Sequence, residues 1–200
     1  MRTRTISRLA VLAVVLLSPA RAIAADKQIR PFVGATFGGG TTFVDLENAA
    51  GKPNLVIGVT AVMLGEVVGL DLDLAHAPGF FQSGDRHLVL ASGVTTLTGN
   101  VVLAAPGRKT EYALRPYFVA GVGLMHVHID DYFGVLRVAK TMPAIDLGGG
   151  ALGFITNQIG VCWDVRHFTS LKGTTQEQGL SLGGEQLSFW RASMALAIRY

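Results

Sequence analysis

The last stretch of the chain, Ser188-Phe-Trp-Arg-Ala-Ser-Met-Ala-Leu-Ala-Ile-Arg-Tyr200, constrains the fold more than any other. Read back in steps of two, it gives Tyr200, Ile198, Leu196, Met194, Ala192 and Trp190 on one face. Arg199, Ala197, Ala195, Ser193 and Arg191 lie between them. One face is apolar and ends in an aromatic at either side; the other is small and basic. Period-two alternation marks a strand whose two faces meet different surroundings. About ten residues bracketed by aromatics is the length of a tilted strand crossing a bilayer. The alternative is an amphipathic strand of a soluble β-sandwich.

Half of the 200 residues are hydrophobic, yet beyond the N-terminal segment no apolar run approaches the roughly 18 residues of a membrane helix. The apolar residues come instead in short alternating segments rich in Gly. A membrane barrel has this composition, because only its lipid-facing positions need be apolar.

Residues 1–24 read as an export signal. Arg2, Arg4 and Arg8 form a charged start, Leu9 to Leu17 an apolar core, and Ala22-Ile23-Ala24 a small-residue cleavage site. The alternative is a retained N-terminal anchor. Four of the 17 Lys and Arg residues lie in this segment and none of the 14 Asp and Glu, which leaves 13 basic against 14 acidic residues in 25–200. The basic excess therefore belongs to the leader, and no nucleic-acid partner is expected. One cysteine, Cys162, excludes an intramolecular disulfide and a cysteine-based metal cluster. In a strand pattern it reads as a small packing residue.

Residues 25–200 divide into eight candidate strands. These are Ile29 to Phe37, whose faces the pattern leaves ambiguous, Asn54 to Leu64, the segment from Val67, Val94 to Leu103, Arg115 to Leu124, Ala144 to Phe154, Ile159 to Phe168 and the terminal strand. The segment from Val67 alternates most clearly, with Val68, Leu70, Leu72 and Leu74 outward and Gly69, Asp71, Asp73 and Ala75 inward. Turns fall at Gly65-Glu66, Pro106-Gly-Arg-Lys109 and Thr156-Asn-Gln158. Longer connections fall at 38–53, 77–86, from Ile129 to near Pro143, and 169–186. This predicts an all-β, eight-stranded antiparallel up-and-down barrel with four longer loops on one rim and three turns on the other.

The segments resemble the OmpA/OmpX-like outer-membrane β-barrel domain family over essentially all of 25–200. The resemblance is carried by Gly69-Leu-Asp-Leu-Asp-Leu-Ala75 before Pro78-Gly-Phe-Phe81, Val94-Thr-Thr-Leu-Thr-Gly-Asn-Val-Val102, Arg115-Pro-Tyr-Phe-Val-Ala-Gly-Val-Gly123, Gly148-Gly-Gly150 and Asp164-Val-Arg-His-Phe168. The free terminal aromatic also resembles the C-terminal signal of such barrels. The resemblance implies residence in the outer membrane and a structural, envelope-integrity or surface-adhesion role without catalysis or cofactor. It implies contact with outer-membrane lipid and lipopolysaccharide, and a meeting with the barrel-assembly machinery through Trp190, Met194, Leu196, Ile198 and Tyr200. A loop-borne extracellular partner is a further expectation. No peptidoglycan-binding domain follows the barrel segment, so a cell-wall tether is not expected.

The inward face collects Asp71, Asp73, Asn100, Asp146, Asp164, Arg166, Arg191 and Arg199. These read as an internal charge and hydrogen-bond network, or as the gate of a polar conduit. Asp71 and Asp73 share one strand face, a spacing also open to acid/base work or cation binding. His126 and His128 share a face and precede Asp130 and Asp131, a spacing open to a rim metal. His167 and Ser170 form a poor version of the His-x-Ser pair of barrels that deacylate lipid A, because Thr169 holds the position two after the histidine, Ser170 comes one further along, and alternation places His167 and Ser170 on opposite faces. Trp163, Phe118, Trp190 and Tyr200 fit interfacial aromatics, and Phe80, Phe81, Tyr132 and Phe133 are loop aromatics open to partner contact or loop packing. A ligand-binding barrel of lipocalin type is the competing architecture; it would turn the apolar faces inward.

Overall fold

The computed structural model describes residues 26–41, 53–81, 89–106, 114–131, 138–171 and 186–200. The expected export signal lies outside them. Eight strands follow one another, β1 Asp26–Thr41, β2 Asn54–Leu64, β3 Val68–Pro78, β4 Val89–Ala104, β5 Leu114–Asp131, β6 Val138–Phe154, β7 Ile159–Ser170 and β8 Leu187–Arg199. Each pairs antiparallel with the next, and β8 returns to β1, closing an up-and-down barrel. Among the described residues no helix is long and apolar enough to cross a membrane.

Alternation decides which side chains enter the barrel. β3 alternates without a break, with Gly69, Asp71, Asp73, Ala75 and Ala77 buried and Val68, Leu70, Leu72, Leu74 and His76 exposed. Exposed apolar residues cover every other strand in the same way, including Ile29, Val33, Leu55, Ile57, Leu97, Val101, Val122, Leu124, Ile145, Leu147, Trp163 and Val165. The lipocalin arrangement is therefore reversed here. β1, ambiguous in sequence, turns Gln28, Arg30, Phe32 and Thr36 inward. Its pattern is broken by Pro31 and Gly34, and by a bulge between Phe37 and Gly40 where Gly38 takes φ +59°.

The interior is filled in three layers. An apolar cluster on the loop side contains Val56, Val94, Met125, Met142, Phe168 and Phe189, and one on the turn side contains Val62, Val102, Val119, Leu152, Cys162 and Ala197. Charged and hydroxyl side chains occupy the level between them.

One expectation is corrected on the loop side. The connection expected from Ile129 to near Pro143 shortens to 132–137, because β5 and β6 stay in register up to Ile129 opposite Val138. Their outward residues there include His126, Thr141 and Pro143, so the apolar alternation that marks a strand in sequence is missing while the backbone ladder continues. Of the two readings open for Phe80 and Phe81, partner contact or packing, the structure takes packing, with both rings buried. Gly79 at φ +69° turns the chain inward. The Phe81 amide donates to Ser92 Oγ at 3.0 Å, and Asn54 Nδ2 donates to the Phe80 carbonyl at 3.0 Å. Phe80 then meets Phe189 edge-on at 5.1 Å. Tyr132 and Phe133 lie outside the described residues.

If the exposed apolar band faces hydrocarbon, Leu72→Arg at its middle costs about 2–4 kcal/mol of unfolding free energy. Urea titration of the vesicle-reconstituted protein, followed by tryptophan emission, checks this; a cost near zero would place Leu72 in water.

Candidate functional site

Arg166 on β7 is the hub of the charged layer and is 1% exposed. Its Nη2 lies 3.2 Å from Asp71 Oδ2 and 3.1 Å from Asp164 Oδ2, while its Nη1 lies 3.7 Å from Asp73 and 3.6 Å from Asp146. Carboxylates from β3 and β6 thus reach a guanidinium from β7 across the lumen. Arg191 on β8 stands directly opposite Arg166 in the β7–β8 register. Like charges in that position repel. Asp73 offsets this by accepting from both terminal nitrogens of Arg191, at 2.8 and 2.9 Å. The Arg191 guanidinium also lies between Phe32 and Phe168, 4.6 and 4.8 Å from the ring centres.

Hydroxyl and amide groups complete the layer. Thr60 Oγ1 donates to Asp73 at 3.0 Å, Asn100 Nδ2 to Asp71 at 2.5 Å, and Ser193 Oγ to Asp164 at 2.5 Å. Tyr117 Oη donates to Asp164 at 3.2 Å and lies 2.9 Å from Cys162 Sγ. Arg30 joins from β1, donating to Gln28 at 2.7 and 2.9 Å and lying 3.7 Å from Cys162 Sγ. Among the described residues neither carboxylate oxygen of Asp146 has a hydrogen-bond partner, and the cation beside it is Arg166. With Arg30, Arg166, Arg191 and all four aspartates ionised, three positive charges meet four negative ones, a net of −1.

Glycine makes room for this layer. On β5 and β6 the inward positions at its height are Gly121, Gly123, Gly148 and Gly150. A Cβ on Gly148 would stand 2.8 Å from Arg166 Cγ, and one on Gly121 would overlap the Asn100 amide.

Of the residues expected to share the interior network, Asp71, Asp73, Asn100, Asp146, Asp164, Arg166 and Arg191 come together. Arg199 does not. It lies about 26 Å from Arg191 along β8, at about 3.3 Å per residue, and donates to Asp26 at the turn-side rim through two bonds of 2.6 Å. Its guanidinium covers Phe154 at 3.8 Å, and its side chain is 37% exposed. Gln28, Arg30, Thr60, Tyr117, Cys162 and Ser193 belong to the layer or its turn-side edge and were absent from the sequence-derived set. The signal for Arg30 was its even spacing with Gln28 and Phe32, hidden by the irregularity of β1. Cys162 is more than a space filler, since it meets both Tyr117 and Arg30.

The acid/base reading of Asp71 and Asp73 has little geometric support. Both are buried and engaged by arginine, asparagine and threonine. His167 faces outward against Trp190, 4.8 Å between ring centres, whereas Ser170 faces inward and accepts from the Leu187 amide at 2.9 Å. They do not form a pair. His126 and His128 both face outward, and among the described residues no group of three or more His, Cys, Asp or Glu could hold a metal ion. Trp190, Met194, Leu196, Ile198 and Tyr200 form an exposed apolar row on the outside of β8, and Trp163 and Phe118 are exposed on neighbouring faces.

No known family model matches the chain, and no curated protein matches its sequence. Solved structures match the fold. Neisserial surface protein A is 10% identical with a TM-score of 0.60, covering 88% of this chain and 97% of its own. The outer membrane protein OprG of Pseudomonas aeruginosa is 13% identical with a TM-score of 0.57, covering 88% and 96%. The N-terminal β-barrel domain of OprF from the same organism is 13% identical with a TM-score of 0.54, covering 88% and 98%. The fold is thus the eight-stranded barrel of outer-membrane proteins, the architecture that the OmpA/OmpX-like resemblance implies.

Removing Arg166 leaves four buried carboxylates with one fewer cation, so Arg166→Ala destabilises the barrel by about 3–5 kcal/mol. Asp146→Asn removes the carboxylate without hydrogen bonds and costs much less than Asp73→Asn, which breaks the paired bonds to Arg191. Unfolding midpoints of the three variants in one detergent rank these effects; equal losses for Asp146→Asn and Asp73→Asn would contradict the assignment.

Proposed function

We propose that this protein is an integral outer-membrane barrel with a structural, envelope-integrity or surface-adhesion role. The carrying observation is the coincidence of an apolar outer wall on all strands with an interior filled by its own charged layer between two apolar layers. A barrel built this way presents hydrocarbon-compatible surface outward and leaves its rims for contact with other molecules. Export and leader removal belong to this reading. So do contact of the wall with outer-membrane lipid and lipopolysaccharide, and docking on the assembly machinery through the Trp190 to Tyr200 row. An extracellular partner would meet the connections at 42–52, 82–88, 132–137 and 172–185.

A gated small-solute conduit is the second reading, favoured by the net negative charge of the interior layer and by the Asp146 carboxylate that lacks a hydrogen bond. Phe80 and Phe81 close the loop side of that path. A soluble ligand-binding barrel and a lipid A deacylase find less support, given the apolar exterior and the separation of His167 from Ser170.

Washed outer-membrane fractions are expected to contain the protein, migrating faster in SDS without boiling than after it. Recovery as a soluble periplasmic protein without a mobility shift would overturn the proposal. In planar bilayers the wild type is expected to conduct little. An unchanged trace in both Asp164→Ala and Arg166→Ala would remove the conduit reading, and a rise in Phe80→Ala/Phe81→Ala would support it.

A further inference from the structure

Four of the chain's five histidines, His76, His126, His128 and His167, occupy outward positions on β3, β5 and β7. Each stands just past the exposed apolar run of its strand on the loop side. On β3 the run is Val68, Leu70, Leu72 and Leu74 before His76; on β5 it is Phe118, Val122 and Leu124 before His126; on β7 it is Ile159, Trp163 and Val165 before His167. Thr95 on β4, Thr141 on β6 and Ser188 on β8 hold corresponding outward places. On β3 to β8 the lipid-compatible wall therefore passes, on the loop side, into imidazoles and hydroxyls, while β2 keeps Ile57 and Leu55 exposed at and beyond the level of His76.

Three of the imidazoles converge. Thr95 is the register partner of both His76 and His126, and Gly93 is the partner of His128. The His76 ring lies over Gly93, where a Cβ would come within 3.0 Å of Cε1. Its Nδ1 is 2.9 Å from Thr95 Oγ1, and His126 Nδ1 is 2.9 Å from Thr141 Oγ1. The patch spans three adjacent strands, about 10 Å from β3 to β5. Ile57 faces it from β2, and Thr141 and Pro143 from β6. The charged residues of the flanking segments are Lys140, next to Thr141, and Asp130 and Asp131, two and three residues beyond His128.

We infer that the His76, Thr95, His126 and His128 patch is a lipid-headgroup site that takes the phosphate of an outer-leaflet lipid when its histidines are protonated. The inference rests on the outer-membrane reading, since the apolar wall below the patch sets the depth at which headgroups meet it. Imidazole is the side chain that gains a positive charge between about pH 8 and pH 5, and a protonated ring has two N–H donors. The threonine contacts hold two of the rings in place, so protonation adds charge and donors to an already ordered surface.

The test is electron spin resonance of the full-length protein reconstituted in phosphatidylcholine vesicles with trace spin-labelled phosphatidylglycerol or phosphatidylcholine. Phosphatidylglycerol carries one negative charge throughout the range. Its preference for the motionally restricted shell over phosphatidylcholine is expected to rise at least about twofold from pH 8 to pH 5.5, and to weaken in high salt. The rise should vanish in the triple variant His76→Gln/His126→Gln/His128→Gln and persist in His167→Gln. If the triple variant lacks the fast unboiled gel band, the single variants His76→Gln and His126→Gln replace it, each expected to reduce the rise. A pH-independent preference in the wild type, or a full rise in folded variants, overturns the inference while leaving the membrane barrel standing. The absence of any restricted shell with either lipid would reject the membrane reading itself.

Discussion

Closure of the sheet is the constraint from which the rest follows. A strand at the edge of a sheet carries a row of unpaired backbone N–H and C=O groups, and in hydrocarbon each costs several kcal/mol. Pairing β8 back onto β1 removes both edges at once. The register from Gln28 opposite Arg199 to Thr41 opposite Leu187 also brings Asp26 to Arg199, so the two ends of the barrel wall are joined by charge as well as by backbone. Once the sheet is closed, every residue has one of two addresses, and alternation allots them.

The interior address carries a second constraint. Charges inside a narrow barrel lose their hydration and persist only where partners meet them. The chain meets this need from distant places in sequence. Asp71 and Asp73 come from β3, Asp146 from β6, Arg166 and Asp164 from β7, and Arg191 and Ser193 from β8. The Arg166 and Asn100 side chains enter where β6 and β5 offer Gly148 and Gly121, so the layer is complementary in volume as well as in charge. Apolar layers above and below keep water from competing with these bonds, which a low-dielectric setting strengthens.

The exterior address is simpler but ends sharply. On β3 to β6 the wall is apolar up to the level of Leu74, Leu97, Leu124 and Ile145, and then turns to imidazole and hydroxyl while the strands run on. That change of surface chemistry within continuous strands explains why the loop-side extensions of β5 and β6 look like a loop in sequence. Apolar alternation reports the solvent a strand faces, and it falls silent where that solvent is polar, whether or not the ladder continues.

What the sequence determined by itself was local and periodic. Period two in Val68 to Ala75 and in Trp190 to Tyr200 predicted those strands and their faces, and the remaining segments between turn signals gave the strand number of eight with the faces of β1 left open. What only the tertiary structure decided was which inward residues share a height. Arg199 has the same parity as Arg191 yet lies at the turn-side rim, because alternation assigns a face and not a height, and the strand carries Arg199 about 26 Å further along β8. Phe80 and Phe81 follow a Pro-Gly pair and read as loop aromatics open to partner contact or packing; Gly79 turns them into the lumen, where Phe189 and Phe168 complete their packing. Arg30 was legible as a charge and illegible as a partner. Its neighbours Tyr117 and Cys162 lie on strands far away in sequence, and only closure of the barrel brings β1 round to face them.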